Sequence, residues 1–116
     1  MSWFKSSQLN FDWNYIVNKI DLQNAVDHSF EKPVLLFKHS TRCSISFLAK
    51  NRIERGKSEN YNKIYLLDLI KYRSITDEIS KQFNVIHESP QLLKIVSGKC
   101  TYYASHQNVS LENIPD

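Results

Sequence analysis

The sequence predicts an α/β protein, a central mixed β-sheet of four to five strands flanked by helices. Three observations predict it. Short apolar runs alternate with segments whose apolar residues recur at helical spacing, as in successive βαβ units. Two of the runs, 34–37 (Val-Leu-Leu-Phe) and 64–69 (Ile-Tyr-Leu-Leu-Asp-Leu), are nearly continuous rather than alternating, the pattern of strands covered on both faces. Near the C-terminus, 92–96 and 101–103 flank Ser97-Gly98-Lys99, a hairpin signal that adds an antiparallel edge.

The elements follow in order. Residues 8–17 are aromatic-rich, with Phe11, Trp13 and Tyr15, and a short first strand is expected over 15–17. Asp21 is expected to cap a helix whose apolar positions are Leu22, Ala25, Val26 and Phe30. Pro33 suits the first position of a strand, and the buried run 34–37 follows it. A polar break, His39-Ser40-Thr41-Arg42, leads to Cys43 and a second helix with Ile45, Leu48, Ala49 and Ile53 as its stripe and Gly56 as its C-terminal cap. After a polar loop over 57–62 comes the second buried strand. Ile75, Ile79 and Phe83 mark a third helix that Asn84 can end in the left-handed conformation. Ser89-Pro90 is a turn before the hairpin, and a terminal helix is expected to begin at 111–114. The order β-α-β-α-β-α-β-β implies parallel crossovers closed by a hairpin. With a helix launched directly from a buried strand, this is the order of the thioredoxin fold.

Composition narrows the function. A chain of 116 residues suits a single domain, 1–116. Its 41% hydrophobic and 23% charged residues are ordinary for a globular protein. The net charge of +3 is spread along the chain, with bases and acids interleaved over 50–59, which argues against a nucleic-acid face. No apolar run approaches the roughly 20 residues that span a bilayer. The N-terminal residues lack a basic segment, an apolar stretch and a small-residue cleavage site in succession. A cytoplasmic monomer that binds neither membrane nor nucleic acid is therefore expected. Cys43 and Cys100 are not spaced as metal ligands, and in a reducing compartment they are not expected to pair as a structural disulfide.

The chemistry is expected at Cys43, between a buried strand and the start of a helix. Helix N-terminal amides favour an anion there, Arg42 and Lys38 add positive charge, and α/β ligand sites lie beyond the carboxyl ends of strands. These effects favour the thiolate, the reactive form. The flanking Ser40, Thr41, Arg42, Ser44 and Ser46 are too polar for an inert core thiol. In Cys43-Ser44-Ile45-Ser46, the residue three positions on lies one turn up the same face. A cysteine there would resolve a mixed disulfide; serine cannot, though it can donate a hydrogen bond to the thiolate. The implied chemistry is monothiol exchange: Cys43 attacks a mixed disulfide, takes the small-molecule cap and waits for a second thiol. In thioredoxin folds a cis-proline precedes the third central strand and faces the active cysteine, and the residue before it offers backbone groups to an extended substrate; the likeness to that fold implies this role for Ser89-Pro90. Cys100 is expected to be a bystander. The strand after Pro90 runs about 20 Å away from the site, whereas a disulfide needs Cα atoms within about 7 Å.

The stretches Phe37-Lys38-His39-Ser40-Thr41-Arg42-Cys43-Ser44-Ile45-Ser46, Leu67-Asp68-Leu69-Ile70 and His87-Glu88-Ser89-Pro90-Gln91 closely resemble the YtxJ-like monothiol bacilliredoxins. The resemblance covers roughly residues 13–106. It implies a thioredoxin-like protein that removes bacillithiol, a small cytoplasmic thiol, from protein mixed disulfides. Bacillithiol would be a co-substrate, with no cofactor bound, and S-bacillithiolated proteins would be the partners. Carried onto this sequence, Cys43 is the nucleophile, Thr41 and Arg42 flank the adduct, and Ser89 and Pro90 form the docking edge. Arg42 suits the malate carboxylates of bacillithiol, which a guanidinium can pair bidentately. Ser44 stands where the family usually has proline, giving up a preset φ at the helix start. His39 reaches the thiolate only if it turns toward the pocket. Asp68 is expected to serve a turn rather than to carry protons. Two other readings stay open: an iron–sulfur module using its cysteine and a small thiol, and a thioredoxin-fold adaptor without turnover.

Overall fold

The computed structural model describes residues 11–115. Its elements are β1 (Trp13–Tyr15), α1 (Lys19–His28), β2 (Val34–His39), α2 (Ser44–Arg55), β3 (Ile64–Asp68), α3 (Arg73–Phe83), β4 (Gln91–Val96) and β5 (Lys99–Ser105), followed by two 3₁₀ turns, His106–Asn108 and Leu111–Asn113. One five-stranded sheet has the order β1-β3-β2-β4-β5. β1, β3 and β2 run parallel, β4 runs antiparallel to β2, and β5 runs antiparallel to β4. This is the predicted mixed sheet.

β2 lies at the centre and is buried along its whole length. Its alternation divides the core in two. Val34 and Leu36 face one side, where they meet Leu22, Ala25 and Val26 of α1 and Ile75, Ile79 and Phe83 of α3. Leu35 and Phe37 face the other, against Ala49 and Ile53 of α2 and the C-terminal Val109, Leu111 and Ile114. Each of these valine, leucine, isoleucine and phenylalanine side chains, taken from water, contributes about 1.5–3 kcal/mol. The sheet is therefore a covered layer, and β2 delivers its C-terminal end to the surface in one fixed place.

Several boundaries differ from the sequence reading. The first strand is Trp13–Tyr15 rather than 15–17; Ile16 N still bonds Leu66 O at 3.1 Å, but the ladder pairing has ended. The first three positions of the aromatic-rich stretch 8–17, residues 8–10, lie outside the described residues. The cap of α1 is Asn18, whose Oδ1 accepts from Asp21 N at 2.8 Å, while Asp21 Oδ2 accepts from Val17 N at 3.0 Å. Asp21 thus returns the cap rather than making it. Phe30 lies past the helix and is exposed, resting near Gly98 instead of in the core. Asn84 does end α3 in the left-handed region, at φ 55°.

Gly56 does not take a left-handed cap; its φ is −83°. Glycine is needed there because a Cβ would come within 2.7 Å of Leu111 Cβ. The tail from Val109 to Ile114 closes over α2 through 3₁₀ turns, so the expected terminal helix is replaced by a tightly packed strap.

Candidate functional site

β2 extends two residues further than its apolar run suggests, through Lys38 and His39, and both are buried. The apolar signal fades before the strand does because these two polar residues carry the pairing on: Lys38 lies opposite Gln91 and Leu67, and His39 opposite Asp68. Alternation sends their side chains to opposite faces of the sheet.

Cys43 is the N-cap residue of α2, in extended backbone at φ −124° and ψ 120°, and is half-buried. Its carbonyl accepts from Ser46 N and Phe47 N at 3.1 and 3.3 Å, and no side chain caps the helix. The first turn of α2 contains no acidic residue. The thiol therefore stands at the positive end of a helix dipole with no carboxylate on that turn to oppose it.

His39 turns toward α2. Its ring stacks on Phe37 at 5.6 Å between centroids and meets Phe47 edge-on at 4.6 Å. Its Nδ1 lies 2.6 Å from Ser46 Oγ, which also accepts from Ser40 N at 2.9 Å. Burial, reinforced by Lys50 and opposed by Asp68 and Glu54, holds the His39 imidazole below its usual range. The Ser46 hydroxyl is thus bonded to His39 and to Ser40, and among the described residues no hydrogen bond joins it to Cys43, where the sequence led us to expect one. Ser46 is fully buried and its hydroxyl is committed beneath the loop, tying the end of β2, Ser40 and the first turn of α2 together. His39 likewise bonds Ser46 rather than reaching the thiol.

The stripe of α2 is corrected as well. Ser46, Ala49 and Ile53 are buried, while Ile45, Phe47 and Leu48 are exposed. The helix is rotated so that a serine takes the first core position, over His39.

On the opposite face, Lys38 is buried and its Nζ lies 2.9 Å from His87 Nδ1. Its charge therefore belongs to the loop before Ser89 rather than to the surface around Cys43. Burial lowers the Lys38 pKa from 10.5 to about 8, with Glu88 opposing the shift. The unfolded chain then binds more protons than the folded one between pH 8 and 10.5, so this group makes stability rise with pH across that window. Below pH 8 the burial cost is fully present. Lys38→Met should therefore be more stable than the parent at pH 7, and its advantage should shrink as pH rises from 8 to 10, as read from urea midpoints. A constant difference between the two proteins would show that Lys38 is not titrating there.

The Ser89–Pro90 peptide is cis, and Pro90 leads directly into β4. Gln91 pairs with Lys38, so Ser89 and Pro90 lie at the C-terminal end of β2, on the β4 side of the loop that carries Cys43. Pro90 is buried and Ser89 half-buried. Thr41, Arg42 and Ser44 are exposed around Cys43. None of the Arg42 side-chain nitrogens takes a partner among the described residues, which leaves the guanidinium available to a ligand. Asp68 serves a turn, as expected: its Oδ1 accepts from Ile70 N and Lys71 N at 3.0 and 3.2 Å.

On the β3 side of the same loop lies a cleft of about 380 Å³. Thr41, Phe47, Lys50, Tyr15, Lys71 and Tyr72 line it, with the His39 ring behind them. Sequence reasoning missed this cleft, because its wall is gathered from four separate segments. It also missed the His39–Ser46 link, which alternation along β2 could have found had the strand been carried to residue 39.

Cys100 lies opposite Ile95, near the end of the hairpin remote from Pro90. It packs half-buried against the α1 and α3 core, its thiol bonds Tyr102 O at 3.4 Å, and burial pushes its pKa up.

Comparison with known proteins adds two findings. A family model described as monothiol bacilliredoxin BrxC matches residues 14–114. Among solved structures, a proposed oxidoreductase with a thioredoxin fold matches at a TM-score of 0.79 and 24% identity, covering 97% of this chain and 95% of that one. Fasciola hepatica thioredoxin matches at 0.66 and 13%, covering 80% and 86%. Mitochondrial thioredoxin 3 from Saccharomyces cerevisiae matches at 0.65 and 11%, covering 86% and 87%. The fold is that of thioredoxin. No helix among the described residues is long and apolar enough to cross a membrane.

Proposed function

Because the chain belongs to the monothiol bacilliredoxin family, we propose that Cys43 removes bacillithiol from S-bacillithiolated proteins. The observation that carries this reading is a single thiol at the start of α2 with a serine one turn on, buried and already bonded to His39 and Ser40. Such a site can attack a disulfide but holds no second thiol to resolve the product.

The exchange runs in two steps. The Cys43 thiolate attacks the bacillithiol sulfur of the mixed disulfide; a new S–S bond forms to Cys43, and the protein thiol leaves with the electron pair and gains a proton from water. A second bacillithiol thiolate then attacks the cap, giving bacillithiol disulfide and free Cys43. The protein sulfur is reduced, the incoming bacillithiol is oxidised, and the cap, already at the disulfide level, leaves joined to it. A cytoplasmic thiol pool would supply the second one, so bacillithiol acts as co-substrate and the scheme calls on no bound cofactor. Arg42 and Thr41 would flank the cap, Ser44 would present its hydroxyl at the helix start, and Ser89 and Pro90 would receive the protein backbone.

The test is peptide mass spectrometry after exposure to bacillithiol disulfide and, in parallel, glutathione disulfide. The Cys43 peptide should gain the mass of bacillithiol, and should do so faster than it gains glutathione. An unmodified Cys43 would end the exchange reading, and a preference for glutathione would end the choice of thiol.

A further inference from the structure

We propose that the cleft between α2 and the ends of β1 and β3 binds the carboxylate-bearing tail of the small thiol, with Lys71 as its cationic contact. This inference rests on the exchange reading above and decides which of the two sulfurs Cys43 attacks.

The topology sets up the argument. β2 lies between β3 and β4 in the sheet. The loop that carries Cys43 therefore has Ser89–Pro90, at the start of β4, on one side and the cleft, at the end of β3, on the other. Attack on a disulfide is in-line: the leaving sulfur departs opposite the attacking one. The central sulfur and the leaving sulfur thus carry their groups in different directions from Cys43. Two separate receiving surfaces are what such a reaction needs, one for each half of the mixed disulfide.

The two surfaces differ in shape. The cleft, at about 380 Å³, is of small-molecule size. It begins at Thr41, two residues from Cys43, so its mouth is within about 7 Å of the Cys43 backbone. A bulky protein half cannot enter it, whereas a small thiol joined to Cys43 through its sulfur can lay its tail there.

The chemistry of the walls selects the tail. Tyr15 and Phe47 are exposed and, with the partly buried Tyr72, give the cleft aromatic walls. Lys50 is already paired with Glu54 at 2.8 Å. Lys71 is exposed, its ammonium lying over the Tyr72 ring at 5.5 Å, and no carboxylate among the described residues pairs with it. Asp68 is held by the turn. Of the two lysines that line the cleft, Lys71 is therefore the one free to meet a carboxylate. With the tail seated there, the small thiol's sulfur is the one presented to Cys43, and the protein thiol becomes the leaving group on the Ser89–Pro90 side.

One peptide carrying two different caps tests this, one cap being bacillithiol and the other 2-mercaptoethanol, which has no charge and almost no tail. Lys71→Glu should raise KM for the bacillithiol cap about fivefold, the size of an exposed ion pair, and leave the mercaptoethanol cap unchanged. Val17→Trp, which fills the cleft from an exposed lining residue, should give the same selective loss. Equal effects on both caps, or no effect on either, would overturn the proposal. So would a charge-selective loss found in Arg42→Ala and absent from Lys71→Glu. If the parent protein leaves both caps in place, the exchange reading fails. The cleft is then tested by calorimetric binding of bacillithiol disulfide to Cys43→Ser protein. Binding weakened by Lys71→Glu upholds the cleft, and no binding or unchanged binding removes it.

Discussion

Cys43→Ser is expected to abolish both capture of bacillithiol and its release from a modified protein, while Cys100→Ser is expected to leave both intact. The first half follows from the chemistry, since an alcohol neither attacks a disulfide at neutral pH nor carries the cap. The second follows from the hairpin. Cys100 sits opposite Ile95, four residues along β4 from Gln91, which at about 3.3 Å per residue is some 13 Å from the active-site end. A disulfide needs Cα atoms within about 7 Å. Burial also raises the Cys100 pKa, which keeps it in the unreactive thiol form. The measurement is release of bacillithiol from a modified peptide, followed by chromatography in the presence of excess thiol. Activity remaining in Cys43→Ser above the uncatalysed rate, or lost in Cys100→Ser, would reverse the assignment. A Cys43–Cys100 disulfide in oxidised monomer would do the same.

The parts of this molecule that were legible in its sequence are those where apolar residues dominate. The runs 34–37 and 64–69 read as buried strands because they are covered on both faces, by α1 and α3 on one side and α2 with the tail on the other. Position 43 read as a site because a thiol among serines and an arginine does not belong in a core. The errors arose where polar residues occupy buried positions. Lys38 and His39 looked like the start of a loop, yet they continue β2, since His87 and Ser46 satisfy them inside. Ile45 and Leu48 looked like core because they are apolar; they lie exposed close to Cys43, while Ser46 turns inward. Hydrophobic periodicity assumes that buried means apolar, and it fails where a hydrogen-bonded pair has taken a core position. The cleft was illegible for another reason: Tyr15, Thr41, Lys50 and Lys71 meet only once the sheet order is known.

The buried serine leads to the second large effect. Ser46→Ala removes the acceptor of Ser40 N and the hydrogen-bond partner of His39 Nδ1 in a buried place. Two stranded polar groups at about 1–3 kcal/mol each make a loss of about 2–6 kcal/mol, a large share of the 5–15 kcal/mol typical of a whole domain. The loss should appear as a lower urea midpoint with unchanged slope. A change under about 0.5 kcal/mol, the range of neutral surface substitutions, would mean that the link is not made. Ser46→Cys separates this anchoring role from that of a resolving position. Residues three apart on a helix bring their Cβ atoms to about 5–6 Å, so a modest shift lets a thiol at 46 meet the Cys43 cap. That variant should release captured bacillithiol without added thiol and end as an internal disulfide, with the stability cost of a broken Ser40–His39 link in its reduced form. Accumulation of the same mixed disulfide as in the parent would mean that the residue at 46 stays turned to His39, beyond the reach of Cys43, whatever its chemistry.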